Sequence, residues 1–130
     1  MFRPAAFFFF LCMLMTGHAT AQVDPSQGII SAIRNGNSAE VGTHFNDMVD
    51  LNIPGFKDSY SKTQAERIIR DFFSNNQVSD VSVSREGSST DGSKYTIGSL
   101  NAGGKRYRLF FLLRKNKGEY LIYQLNIQPE

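Results

Sequence analysis

The sequence predicts an α+β domain behind an N-terminal export signal. Three helices gather in the first half of the domain, against a bent, mostly antiparallel sheet of five to six strands. Two observations carry this. Helix-start signals appear three times, all before residue 65, and none appears afterwards. Beyond residue 80 the chain alternates apolar and polar residues between glycine-rich turns. Helix and strand runs that do not alternate one for one argue against a doubly wound parallel sheet and for α+β.

The first 21 residues have the three parts of a secretory signal. Arg3 supplies the positive start, Ala5 to Met15 an unbroken apolar run, and Ala19-Thr20-Ala21 the small-residue cleavage pattern. The apolar run is shorter than the ~20 residues that span a bilayer. Cleavage is expected between Ala21 and Gln22, leaving residues 22–130 as one domain, periplasmic or secreted, with no stable membrane insertion. The chain's single cysteine, Cys12, lies inside this signal, and Leu11 before it does not fit a lipidation site. The domain is therefore expected to carry no disulfide and no thiolate metal site. The whole chain has a net charge of +2, and Arg3 leaves with the signal. So nearly neutral a domain has no general attraction for nucleic acid or anionic lipid.

Asp24-Pro25 opens the first helix, an N-cap acid followed by proline at the first helical position, with Gln27 three residues after the cap. Ile29, Ile30 and Ile33 fall on one face, and Asn35-Gly36 closes the helix with a residue suited to positive φ. Asn37 with Glu40 opens a second, shorter helix expected to reach about Phe45. Ser61 with Gln64 forms a capping box for the third. There Ala65, Ile68, Ile69, Phe72 and Phe73 make the i, i+3, i+4, i+7, i+8 stripe of a helix laid on a core.

Between the second and third helices, Val49, Leu51 and Ile53 alternate with Asp50 and Asn52, the period of a half-buried strand. Pro54-Gly55 turns the chain into a short strand over Phe56 to Tyr60. After the third helix come Val81 and Val83 between serines, then a loop containing Asp91-Gly92, then a strand beginning at Tyr95 and Ile97. Gly103-Gly104 is a hairpin signal. Lys105 to Lys115 is a long strand, Asn116-Lys117-Gly118 turns it, and Tyr120 to Ile127 finishes the sheet.

This order of elements is similar to the nuclear transport factor 2-like fold, a cone in which a curved sheet wraps one long helix and two others. The stretches Tyr60 to Glu66, Asp71-Phe72-Phe73 and Asp91 to Gly98 resemble a family of small exported bacterial proteins, domain of unknown function 4783. Phe45-Asn46-Asp47 and Tyr120-Leu121-Ile122 extend the resemblance over essentially the whole domain. No activity is attached to that family, so the resemblance implies a fold and no chemistry. Enzymes of the wider fold place an acid, a histidine or a tyrosine inside the cone, where desolvation can bring a carboxyl toward neutrality.

On that measure the candidates are weak. His44 follows a short helix and precedes the core-facing Phe45, so it is expected to point aside, where a helix C-terminus favours a positive imidazole. Asp50 stands where steroid isomerases of the fold keep a base, but alternation with Val49 and Leu51 puts it on the non-core face. Asp71 is off the apolar stripe and reads as solvated. Tyr95, Tyr107, Tyr120 and Tyr123 lie on strands and read as packing residues. Neither Gly87 nor Gly103-Gly104 opens a helix, which leaves a phosphate loop unsupported. With His18 in the signal, the domain's one histidine without paired acids makes a poor metal site, and no cofactor is implied.

The long strand departs from the simple pattern. Tyr107, Leu109, Phe111 and Leu113 take one face, whereas Phe110 and Leu112 share the other with Arg106, Arg108 and Arg114. On the last strand Tyr120 and Ile122 are likewise assigned to the outer face. Each exposed Leu or Phe forgoes roughly 1.5–3 kcal/mol of burial. Phe110, Leu112, Tyr120 and Ile122 are therefore expected to form a homodimer surface, with cover by the chain's own tail or an unknown partner as the alternatives. The first functional expectation is a non-enzymatic binding or interaction module, with room for a small apolar ligand in the cone. The alternative is a pocket acid–base enzyme of the isomerase or dehydratase kind. The cone interior discriminates: Phe72, Phe73, Phe111 and Leu113 filling it leave no substrate site.

Overall fold

A computed structural model of the chain describes residues 24–130. The expected signal segment and its cleavage point lie outside the described residues. Helix α1 (Pro25–Arg34) begins where the Asp24 carboxylate accepts the Ser26 N–H at 3.0 Å. It closes at Asn35, with Gly36 at φ +63°. Helix α2 (Ser38–Thr43) is capped by Asn37, whose side chain accepts the Glu40 N–H at 3.1 Å. It stops short of the expected Phe45. The His44 carbonyl instead accepts the Ile122 N–H at 2.7 Å, drawing the chain out of the helix and into the sheet.

Strand β1 (Phe45–Ile53) therefore starts earlier than alternation alone suggests, and β2 (Phe56–Ser61) returns beside it. Helix α3 (Lys62–Asn75) carries the predicted capping box: Ser61 Oγ accepts the Gln64 N–H, and the Gln64 side chain accepts the Ser61 N–H. Strands β3 (Val78–Ser88), β4 (Lys94–Ala102), β5 (Lys105–Asn116) and β6 (Glu119–Pro129) complete a sheet in the order β2-β1-β6-β5-β4-β3. Every neighbouring pair is antiparallel except β1 and β6. The last strand thus inserts beside the first and joins the β1–β2 hairpin to the β3–β5 meander.

The helices cover one face only. Helix α1 packs on α2 and β3, and α3 on α2, β1 and β2. Ala65, Ile69, Phe72 and Phe73 of α3 meet the inward row Leu109, Phe111, Leu113, Leu125 and Ile127, and the Phe72 ring stands edge-on to Tyr107 with centroids 5.5 Å apart. Both edge strands are short of apolar side chains. Edge strand β3 also shifts register at Val78/Asp80 and again at Val83/Arg85, irregularities that discourage pairing with another chain. Val81 is buried as its alternation requires, while Val83, nearer the second irregularity, stays 40% exposed.

The β5–β6 ladder corrects one sequence expectation. Arg114 pairs with Leu121, Leu113 with Ile122, and Leu112 with Gln124, so Tyr123 is an extra residue on β6. A bulge of this kind reverses which residues face inward on either side of it. Before it Ile122 points into the core, at 0% exposure, and after it Leu125 and Ile127 do. Ile122 is therefore a core residue and not part of an outer surface, and Tyr120 packs against the core as well. Leu121 takes the outward position in its place.

Candidate functional site

Phe111 and Leu113 are fully buried between sheet and helices, and Phe72 and Phe73 are each only 8% exposed. These four side chains fill the space between the sheet and the helices. Among the described residues, no three His, Cys, Asp or Glu side chains converge as metal ligands.

His44 caps the C-terminus of α2 and lies against α1 at Gly28. Its Nε2 is buried without a hydrogen-bond partner, and the nearest carboxylate, Glu40, is 3.8 Å away. It faces the neighbouring helix rather than a cavity. Asp50 is exposed on the outer face of β1 and accepts a hydrogen bond from Ser59 Oγ across the β1–β2 ladder. The structure does not bring these two candidates together.

Three surface features do collect functional groups. The outer sheet face is divided along its length. On β4 and β5, Tyr95, Ile97, Phe110 and Leu112 form a half-buried apolar patch: Leu112 pairs with Tyr95 and Phe110 with Ile97. On β1, β2 and β6 the same face is polar, and Asp50, Asn52, Lys57, Ser59, Gln124 and Asn126 line a groove of about 300 Å³. Sequence reading found the β5 half of the apolar patch but missed Tyr95 and Ile97, because only the cross-strand register puts them there.

The second feature is a pocket of about 290 Å³ at the mouth of the cone, between the C-terminal half of α3 and the β1–β2 turn. Ile53, Phe56 and Phe72 form its apolar wall, with Asp71 and Lys105 on the rim. The exposure of Phe56, 44%, is high for an aromatic side chain. Asp71 is solvated, as its place off the stripe requires, yet it borders this concavity.

The third lies at the start of α1. Ser26, 4% exposed, has its Oγ 2.8 Å from Asp24 Oδ1 and 2.9 Å from Glu86 Oε1. One hydroxyl has one proton to donate, so the two carboxylates compete for it. Sequence separation hid this group, since Glu86 arrives from the far edge of the sheet. It ties α1 to β3.

Comparison with known proteins agrees with this architecture. The family model described as Domain of unknown function (DUF4783) matches residues 26–128. The crystal structure of a DUF4783 family protein from Bacteroides uniformis ATCC 8492 is similar at a TM-score of 0.75 and 33% identity, covering 80% of this chain and 95% of that one. One from Bacteroides ovatus ATCC 8483 is similar at 0.74 and 30% identity, covering 79% and 93%. An NTF2-like protein from Cytophaga hutchinsonii ATCC 33406 shares the fold at a TM-score of 0.61 and 12% identity, covering 82% of this chain and 93% of that one. No curated protein matches the chain in sequence. With the family model spanning nearly every described residue, the chain belongs to the DUF4783 family and has the NTF2-like α+β fold.

Proposed function

We propose that the domain works outside the cytoplasm as a non-enzymatic binding module that self-associates through its outer sheet face. One observation carries the reading: Leu109 to Leu113 is an uninterrupted apolar run, the pattern of a strand covered on both faces. Helices cover the Leu109, Phe111 and Leu113 side. Among the described residues no element covers Phe110 and Leu112, which with Ile97 and Tyr95 remain half-exposed.

A second copy suits this face better than a dissimilar partner. Arg108 and Asp50 both lie on it, and neither is in an ion pair among the described residues. In a two-fold contact each residue meets its counterpart's partner twice, so opposite charges left single on one chain can be satisfied in pairs. Phe110 and Leu112 belong to this surface. Tyr120 and Ile122 do not.

Sedimentation velocity tests the reading. The wild-type protein should sediment as a dimer, and Phe110→Glu as a folded monomer by circular dichroism. A wild type that is monomeric at every accessible concentration overturns it.

The mouth pocket supports a second reading, in which the module also holds a small ligand with an apolar body and a polar head. The ligand would lie against Phe56 and Phe72 with Lys105 and Asp71 beside its head, not within the filled cone. Native mass spectrometry of protein purified from its host should then detect a bound mass that Phe56→Ser loses. A bare polypeptide mass in both proteins removes this reading.

A further inference from the structure

At the end of the sheet, the β3–β4 turn and the β5–β6 hairpin enclose a cleft of about 280 Å³, lined by Asp91, Gly92, Ser93, Arg114, Lys115 and Tyr120. Arg114 and Lys115 line it, and Lys94 lies against the Tyr120 ring that forms part of its wall. Lys94 Nζ lies 4.8 Å and Lys115 Nζ 5.8 Å from the centre of the same Tyr120 ring, and the Arg114 guanidinium lies 5.5 Å from the Tyr123 ring. Among the described residues, the ion pairs are His44 with Glu40 and Arg106 with Glu130, so none of the three is paired.

The one acid lining the cleft, Asp91, holds the turn and keeps its charge beside Arg114. Asp91 Oδ1 accepts both the N–H and the hydroxyl of Ser93, at 3.0 and 2.6 Å, which folds the turn. Two ammonium groups share one ring, whose negative face offsets only part of the repulsion between like charges. A bound anion lowers it further.

We infer that this cleft binds a doubly charged oxyanion, a phosphate or sulfate group, on the floor formed by Tyr120. Lys94 and Lys115 supply ammonium donors from two strands, and Arg114 supplies a planar fork at the rim. The group can be a free ion or the head of an ester. Both present the same charged oxygens to the cleft. The site lies at the end of the sheet, apart from Phe110 and Leu112, so it stands or falls independently of self-association.

The test is an NMR titration of the 15N-labelled protein with sodium phosphate, sodium sulfate and glycerol phosphate, at an ionic strength held constant with chloride. Saturable shifts are expected at the amides of Ser93, Lys94, Arg114, Lys115 and Tyr120. In the Lys94→Gln/Lys115→Gln double variant the dissociation constant should rise about tenfold, the loss of charge-assisted hydrogen bonds. Equal affinity for ion and ester assigns a free-ion site, and tighter ester binding assigns a head-group site. Both support the inference. A salt series on the wild type gives a second readout if the double variant folds poorly: affinity should fall as chloride rises. Linear shifts that chloride alone reproduces, or salt-independent binding, overturn it.

Discussion

Gly98 of β4 lies directly against the carbonyl oxygen of Ser82 on β3, so that a Cβ at residue 98 would overlap that oxygen. The backbone of Ser82 cannot retreat freely, because its strand is held in the ladder through Ser99 and Gly98. Gly98→Ala should therefore lower stability by about 1–3 kcal/mol, the usual cost of forcing extra volume into a packed site. Urea denaturation measures it. An alanine variant as stable as the wild type would mean that β3 shifts at no cost.

The capping box at α3 permits a smaller and more local prediction. Ser61 Oγ accepts the Gln64 N–H at 3.3 Å, and without it that donor turns to solvent. Ser61→Ala should cost about 1 kcal/mol. Gln64→Ala removes the return bond to the Ser61 N–H and should cost less. Thermal unfolding of the two variants ranks them, and the reverse order would contradict the geometry.

Strand β5 offers a paired comparison, because adjacent phenylalanines face opposite ways. Phe111 is wholly buried, so Phe111→Ala should cost about 3–5 kcal/mol. Phe110 is half-buried on the outer face, and Phe110→Ala should cost the isolated chain about 1 kcal/mol or less while weakening self-association. Denaturation at low protein concentration separates the two effects, since mass action makes a dimer's stability depend on concentration.

Asp91 has its acidity shifted by its neighbours. The Ser93 hydroxyl first, and then the Ser93 N–H, hold its carboxyl below the ordinary aspartate range; desolvation opposes them and the Arg114 charge adds to them. A carboxyl with a depressed folded-state pKa contributes stability above its unfolded-state pKa and loses it as pH falls through the folded value. Ser93→Ala should therefore move the Asp91 titration upward toward the ordinary value, with Arg114→Gln moving it less. Carbon-detected NMR of the Asp91 carboxyl follows both, and an unmoved midpoint in Ser93→Ala would exclude the hydroxyl as the main cause.

The helices were legible because their determinants are local: Asp24, Asn37 and Ser61 each cap the residues that follow them within the same few positions of sequence. The inward row of β5 was legible for the same reason. What sequence reading missed depends on register between distant strands. Tyr95 meets Leu112, Lys94 reaches the Tyr120 ring, and Ser26 meets Glu86, all through pairings that no single segment encodes. The end of α2 was misplaced because Phe45 satisfies both a helical stripe and a strand, and its buried position does not distinguish them.

The β6 bulge yields the last prediction, and it separates two adjacent residues that plain alternation would assign the opposite way. With Tyr123 as the extra residue, Ile122 enters the core opposite Leu113, and Leu121 faces outward opposite Arg114. Ile122→Ala removes buried methylenes from a site at 0% exposure and should cost about 2–4 kcal/mol. Leu121→Ala should cost about 1 kcal/mol or less, because that side chain keeps much of its solvent contact. Deleting Tyr123 is the sharper experiment. It leaves a single residue between Ile122 and Leu125, so plain alternation then keeps Ile122, Leu125 and Ile127 together on the core face, and the deletion should destabilise less than Ile122→Ala does. A deletion as costly as Ile122→Ala would mean that Tyr123 is not a mere extra residue in the ladder.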